Sequence, residues 1–259
     1  MSEGRKKIEA RRGAILSRLR ERGYVRVTDL SRELYVTEVT IRSDLMLLEQ
    51  QGLLVRTQGG ALPAKTRAGE PATPREPYAA EKRAIARAAA TLIPDGSTLF
   101  INPGTTTLSF ARALSGRRDL HIVTNSYPAA EHLGSLSSFR VILLGGELDP
   151  QFSFTTGDDA KEQLGRYQAE RAVLSVDGIS PSGITIFHAA AAALNRMMSE
   201  RAGETLILAD RSKIGRLGFS RICDIQPRIR LITDSGADPA QLEELKRAGL
   251  RITVAEIRE

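Results

Sequence analysis

Residues 36–45 read Val36-Thr37-Glu38-Val39-Thr40-Ile41-Arg42-Ser43-Asp44-Leu45. Ile41, Leu45 and Leu48 recur at i, i+4 and i+7, which predicts a helix that Thr37 caps and that runs to about Gln51, where Gly52 ends it. Val39, Thr40, Arg42, Ser43 and Met46 fall on the opposite face. Small polar residues and one arginine at a helix start suit a DNA major groove. Arginine reaches guanine O6 and N7 or a phosphate, and threonine offers a hydroxyl and a methyl. The free amides of the first turn also attract a phosphate. Alone, the decamer reads more readily as an ordinary solvated helix. Its surroundings separate the two readings. Upstream, Ile8, Ile15, Leu16 and Leu19 mark an amphipathic helix, ended by Gly23. Tyr24-Val25-Arg26-Val27 is short and β-branched. Thr28 is placed to cap a second helix through Leu34, with Tyr35-Val36 as the turn. Downstream, Leu53 to Thr57 reads as a strand, Gly59-Gly60 as a tight turn, and Ala61-Leu62 as the start of a second strand. Three helices and a small hairpin outline a winged helix-turn-helix that binds double-stranded DNA.

Charge supports that placement. The chain has 259 residues and a formal net charge of +6, and residues 1–60 hold 12 Lys/Arg against 8 Asp/Glu. The amino-terminal part is therefore the better candidate to meet phosphate, although a solvated basic tail has the same signature. Composition excludes several classes. One cysteine, Cys223, leaves no intrachain disulfide or thiolate zinc cluster, and fits a reducing compartment. The three histidines, His121, His132 and His188, have no metal-type spacing. With no tryptophan and 5% aromatics, a stacking platform for single strands is not expected. The first thirty residues are charged, so no secretory leader is expected, and no apolar run approaches the ~20 residues that span a bilayer.

Residues 63–77, PAKTRAGEPATPREP, carry four prolines without apolar periodicity and read as a solvated linker. From there strand and helix signals alternate. A helix is expected over Ala79–Leu92. Strands are expected at Thr98–Ile101, Ile122–Thr124, Val141–Leu144, Ala172–Val176, Thr205–Ala209, Leu231–Thr233 and Ile252–Val254. Further helices are expected at Thr106–Leu114, Ala129–Leu136, Ala160–Tyr167, Ala189–Arg201 and Pro239–Ala248. This alternation predicts α/β architecture, with parallel strands covered on both faces by crossover helices.

Between the first of these strands and its helix lies Asn102-Pro103-Gly104-Thr105-Thr106-Thr107. A glycine turn followed by hydroxyls at a helix start is a recipe for an anion site. Such turns also occur as plain helix starts, so the motif leaves both readings open. Thr124-Asn125-Ser126, Gly145-Gly146 and Asp177-Gly178 occupy the same place after other strands, and Asp210-Arg211-Ser212-Lys213 follows a fourth. In open α/β sheets ligands collect at the carboxyl ends of strands. One by one these residues read as turns and caps; together they favour a pocket, with Lys213 as its mobile cation. His188 reads as a local cap or hydrogen-bonding residue, Cys223 as a small buried side chain, and Phe219 as either a pocket wall or core.

Val36 to Leu45, with Glu49, Gly52, Leu53, Arg56 and Thr57-Gln58-Gly59-Gly60-Ala61, resembles the DNA-binding domain of the DeoR family of bacterial transcription regulators. That pattern usually reads Val-Ser-Glu-x-Thr-Ile-Arg-Arg-Asp-Leu and later Arg-x-His-Gly-Gly-Ala. Thr37, Ser43 and Gln58 are departures from it. Glu81-Lys82-Arg83-x-Ile85-Ala86, the Gly104-Thr105-Thr106 turn, Val123-Thr124-Asn125, Leu144-Gly145-Gly146, Asp177-Gly178-Ile179, Asp210-x-Ser212-Lys213 and Ile232-Thr233-Asp234 resemble the sensor domain of the same family, in the same order. The family usually has Asp-Ser before Gly-Thr-Thr, where this chain has Asn102-Pro103. Phe187 to Ala193 replaces a stretch that commonly carries acids. The resemblance implies a winged helix at 7–62, a linker at 63–77, and a sensor domain at 78–259 similar in fold to ribose-5-phosphate isomerase and the CoA transferases. It implies a cytoplasmic repressor of carbohydrate or polyol catabolic genes, acting as a homodimer or homotetramer. DNA contacts are then expected at Thr28, Thr37, Glu38, Thr40, Arg42, Ser43 and Arg56. A phosphorylated sugar or polyol effector is expected to meet Asn102, Gly104, Thr105, Thr106, Thr107, Asn125, Gly145, Gly146, Asp177, Gly178 and Lys213. No catalytic residue, metal or cofactor is expected. The competing expectation is a sugar-phosphate isomerase or related enzyme fused to the DNA-binding domain, with Asp177 as its only attractive base.

Overall fold

The computed structural model describes residues 3–22, 24–57, 59–63, 77–150 and 152–257, with the backbone alone described at 3–7, 20–22 and 62. Contacts divide it into two compact units, Met1–Pro77 and Tyr78–Glu259. Gly23, Gln58 and nearly all of the proline-rich stretch lie outside the described residues.

In the first unit, α1 (Glu3–Arg22), α2 (Val27–Glu33) and α3 (Glu38–Gln50) pack beside a three-stranded sheet. Its strands β1 (Val25–Arg26), β2 (Leu54–Thr57) and β3 (Gly60–Pro63) pair antiparallel in the order β1-β3-β2. Ile15 and Leu19 of α1, Leu30 of α2, and Ile41, Leu45 and Leu48 of α3 close one apolar cluster with Leu54. Thr37 caps α3 by accepting the Thr40 amide at 3.2 Å. Gly60 is required by close approach, since a Cβ there would meet the Val25 carbonyl oxygen. Two expectations change. The residue at the N-cap of α2 is Arg26, which makes no side-chain capping bond, and Thr28 lies exposed inside the helix. Ile8 is exposed at the surface, because α1 extends past the edge of the core that Ile15 and Leu19 fill.

The second unit is built on seven parallel strands: β4 (Thr98–Ile101), β5 (His121–Thr124), β6 (Arg140–Leu143), β9 (Ala169–Ser175), β12 (Ala202–Leu208), β14 (Ile229–Asp234) and β15 (Arg251–Ala255). Their order is β15-β14-β12-β9-β4-β5-β6. Side chains alternate between faces. Leu99, Ile101, Val173, Leu206 and Leu208 pack with α4 (Ala79–Thr91), α5 (Thr105–Ala113) and α6 (Tyr127–Gly134). Phe100, Ala172, Leu174 and Ile207 pack with α7 (Asp158–Gly165), α8 (Ala189–Glu200) and α9 (Pro239–Arg247). From the carboxyl end of β6 sprouts a hairpin of β7 (Glu147–Asp149) and β8 (Phe154–Thr156). Beyond β9 lies a small antiparallel sheet of β10 (Gly178–Ser180), β11 (Gly183–Ile186) and β13 (Ser220–Cys223). No helix among the described residues is long and apolar enough to cross a membrane.

The chain moves from β4 through β5 to β6 on one side, then returns to place β9 on the other side of β4. The order of strands therefore reverses between β4 and β9, and a crevice is expected outside their carboxyl ends. One charged joint ties this end together. Arg211, just past β12, donates to Asp234 at 3.0 Å and to Glu81 at 2.8 Å, and its guanidinium lies 5.1 Å from the Tyr78 ring centre. Asp234 is fully buried and also accepts the amides of Arg211 at 2.7 Å and Gly236 at 3.0 Å. Asp234→Ala leaves two backbone amides without their acceptor and the Arg211 guanidinium with Glu81 alone of its two carboxylates. The expected loss is about 2–4 kcal/mol in the urea unfolding of the second unit.

Candidate functional site

The outward face of α3 presents Thr37, Glu38, Val39, Arg42, Ser43 and Met46, all exposed, while Ile41, Asp44 and Leu45 point inward. Asp44 is the unexpected member. It is buried, and it accepts from Arg11 Nε at 2.5 Å and Arg12 Nε at 2.8 Å, so two arginines of α1 fix how α3 is carried. No sequence signal beyond the pairing of adjacent arginines marks this joint. Arg42 makes an exposed ion pair with Glu38 at 3.3 Å, a contact weak enough to yield to a stronger anion. Thr40 is half-buried, its hydroxyl 2.9 Å from that of Thr37. Arg56 stands on the hairpin and donates through Nε to Glu49 at 2.7 Å, and Glu49 also accepts the Arg56 amide. These bonds from Arg56 hold the Glu49 carboxyl below its ordinary range. The tie between α3 and β2 is therefore kept at neutral pH and lost as acid protonates the carboxyl.

In the second unit the predicted effector residues divide. Gly104, Thr105 and Thr107 gather at the end of β4. Gly104 is the N-cap of α5 and offers no side-chain cap. The first intrahelical bond runs from the Leu108 amide to the Gly104 carbonyl at 2.9 Å, and the amides of Thr105, Thr106 and Thr107 ahead of it have no partner among the described residues. That leaves the positive end of α5 uncapped. Thr105 is exposed there, whereas Thr106 is buried. Thr107 is also buried and spends its hydroxyl within the turn, toward the carbonyls of Asn102 at 2.8 Å and Gly104 at 3.1 Å. Asn102 differs from expectation. It is fully buried, donates Nδ2 to the Ser175 carbonyl at 2.9 Å and accepts the Ser175 amide at 2.8 Å. Its amide joins β4 to β9 and does not face the crevice.

Across the crevice, beyond β9, Asp177 is half-buried. One of its oxygens accepts the Phe187 amide at 2.9 Å. Gly178 begins β10, which Ile214 bridges, so Lys213 is carried to the same end. The Lys213 ammonium is half-buried and has no hydrogen-bond or ion-pair partner among the described residues. Asn125 and Gly145-Gly146 form a neighbouring group joined by Thr155 of β8. Thr155 exchanges bonds with Asn125 at 2.8 and 2.9 Å and donates its hydroxyl to the Leu144 carbonyl at 2.6 Å. Asn125 is fully buried and its Oδ1 has no hydrogen-bond partner among the described residues. Gly146, at φ 116°, passes so near the Thr156 carbonyl that only glycine fits.

The sequence did not reveal the β7–β8 hairpin. It walls this end and holds His188 at the start of α8: Nε2 lies 3.2 Å from Asp149 Oδ2, and the ring stands edge-on to Phe152 and Phe154. His188 therefore bonds across the fold rather than locally. Burial pushes the Cys223 thiol up, away from nucleophilic use. Phe219 is exposed, not core. A separate depression of about 330 Å³ lies at the opposite, amino ends of the strands, lined by Ser97, Glu170, Arg171 and Glu204. Its Glu204 is already engaged by Arg171, Arg230 and Arg251.

Gly104 shows how tightly the crevice is built, because a Cβ there would sit 1.9 Å from Ser175 Oγ. Gly104→Ala is expected to cost about 1–3 kcal/mol in thermal unfolding. Gly104→Ala with Ser175→Ala should recover most of it, since the second change removes the obstructing oxygen.

Residues 11–67 match the DeoR-like helix-turn-helix domain, and residues 78–235 match the DeoR C terminal sensor domain. The chain is 36% identical to a putative aga operon transcriptional repressor of Escherichia coli O157:H7, over 93% of this chain and 92% of that protein. It is 33% identical to the glycerol-3-phosphate regulon repressor of Escherichia coli strain K12, over 87% of this chain and 90% of that protein. Among solved structures it is similar to ribose 5-phosphate isomerase A of Methanocaldococcus jannaschii, at 17% identity and a TM-score of 0.38, covering 51% of this chain and 52% of that one. The chain belongs to the DeoR family of DNA-binding transcriptional regulators, whose helix-turn-helix and C-terminal sensor domains it carries in that order.

Proposed function

We propose that this protein is an effector-controlled repressor of carbohydrate or polyol catabolic genes. The observation that carries the reading is the uncapped start of α5 at the reversal between β4 and β9, with Asp177 and the unpaired Lys213 at the same end. The phosphate of a sugar or polyol rests on the amides of Thr105, Thr106 and Thr107 and on the Thr105 hydroxyl. Lys213 neutralises its second charge. Asp177 takes the sugar hydroxyls with its remaining oxygen. Gly104, Gly145, Gly146 and Gly178 let main chain approach closely, while Asn102, Thr107 and Asn125 hold the floor. Relatives named as repressors, one of a glycerol-3-phosphate regulon, support both the DNA and the phosphate parts.

In the first unit, α3 enters the major groove, with Arg42, Thr40 and Ser43 toward base edges. Thr28, Thr37, Glu38 and Arg56 line the approach to the backbone. Two copies in a homodimer or homotetramer read repeated half-sites. The effector favours one arrangement of those copies, and ~1–3 kcal/mol of coupling suffices. The competing isomerase reading needs a positioned carboxylate base. Asn102 is an amide committed to Ser175, and one oxygen of Asp177 already holds the Phe187 amide. No specific observation favours that reading.

Two measurements test the proposal. In a thermal-shift screen, phosphorylated sugars or polyols should raise the melting temperature and their unphosphorylated forms should not. A hundredfold excess over Kd contributes about 2.7 kcal/mol. Thr105→Ala with Lys213→Ala should abolish the shift; an unchanged shift contradicts the site. In gel shifts, DNA affinity should fall steeply with salt, and Arg42→Ala should cost about 1–3 kcal/mol. Undiminished binding by Arg42→Ala with Thr40→Ala contradicts the placement of α3.

A further inference from the structure

Tyr35 stands at the turn between α2 and α3 with 94% of its surface exposed, and its backbone takes φ +53°. Positive φ is the territory of glycine, and a bulky side chain there is an outlier. The turn is nevertheless rigid. Ser31 Oγ donates to the Val36 carbonyl at 2.6 Å, and the Val36 amide donates to the Ser31 carbonyl at 3.2 Å. The ring and hydroxyl of Tyr35 meet no partner among the described residues. A large aromatic side chain is thus held outward, two residues before the Thr37 cap of α3. Val39, 76% exposed, continues the same outward surface on the first turn of α3.

We infer that Tyr35 is a DNA contact: its ring lies against the sugar–phosphate backbone beside the groove that α3 enters, and its hydroxyl donates to a phosphate oxygen. In a helix-turn-helix the first residues of the recognition helix, here α3, contact base edges while the preceding helix crosses the backbone, and Tyr35 stands between the two. Tyrosine is a regular donor to phosphate, and such contacts set register rather than sequence. An exposed ring on a strained, rigid turn adds nothing to the core, which Leu30, Ile41 and Leu45 fill beneath it. The inference rests on the placement of α3 above, and the controls keep the two apart.

The experiment uses the full chain and two duplexes of equal length. One is selected from a random-sequence pool by the unmodified protein; the other is a random-sequence pool itself. Tyr35→Gly and Tyr35→Asn both suit positive φ, so their melting temperatures should equal or exceed that of the unmodified protein. Each should weaken binding to both duplexes by about fivefold, the size of one lost hydrogen bond. Binding within twofold of the unmodified protein on both duplexes overturns the inference. So does a loss confined to the selected duplex, which makes Tyr35 a base reader. A lowered melting temperature makes it a packing residue, and a changed oligomeric state in sedimentation makes it a contact between copies; either overturns the inference too. Arg42→Ala is the control: if it also binds normally, the placement of α3 has failed; if it alone is weakened, only Tyr35 has been misassigned.

Discussion

The second unit depends on a two-way hydrogen bond between a side-chain amide and a neighbouring main chain. Asn102 extends the pairing of β4 with β9 past its last ladder pair, donating to the Ser175 carbonyl and accepting the Ser175 amide. Only an amide does both; a carboxylate at this position would leave the carbonyl without a donor. The clasp draws Pro103 and Gly104 against Ser175 so closely that residue 104 has no room for a Cβ. α5 then starts at Gly104 without a side-chain cap on its first amides. The departure at Asn102 from the usual acidic pattern is therefore structural.

The DNA-binding unit shows the same division between framing and presenting groups. Asp44 and Glu49 are the acids that frame it, one locking α1 to α3 and the other locking α3 to the wing. They hold Arg11, Arg12 and Arg56. Arg42, in contrast, has among the described residues an exposed pair with Glu38, a contact weak enough to exchange for a phosphate or a base. The net positive charge of this unit is thus apportioned: part is spent on geometry and part is left for the ligand.

Much of this was legible in the sequence. The seven runs read as strands form the seven strands of the parallel sheet, because each is apolar on both faces and bounded by turns. Thr37 caps α3 as its position predicted. What was hidden depends on contacts distant in sequence. The strands of the β7–β8 hairpin have three residues each, too short for a period to show, and they are held by Asn125, Leu144 and His188. β10, β11 and β13 are likewise short, at three or four residues, and β13 pairs with a strand more than thirty residues before it. Arg211 occupied an unremarkable place between Asp210 and Ser212, yet it joins three separate motifs through Glu81 and Asp234. The reversal of strand order, which gives the crevice its place, is a property of topology and has no local signal. Asn102 was read as a ligand contact because its spacing could not show that Ser175 takes both ends of its amide.

In the proposed function, a phosphorylated small molecule bound by the second unit controls DNA binding by the first. Fluorescence anisotropy of the full chain on a labelled duplex, selected by the protein itself, tests it directly. A panel of phosphorylated sugars and polyols is titrated in, with each unphosphorylated form alongside at the same ionic strength. The account predicts that at least one phosphorylated compound shifts the apparent Kd for DNA by about tenfold, as a coupling of ~1.4 kcal/mol requires, and that its unphosphorylated form leaves the Kd unchanged. An identical response to the phosphorylated and unphosphorylated forms, or no response to any phosphorylated compound, contradicts it.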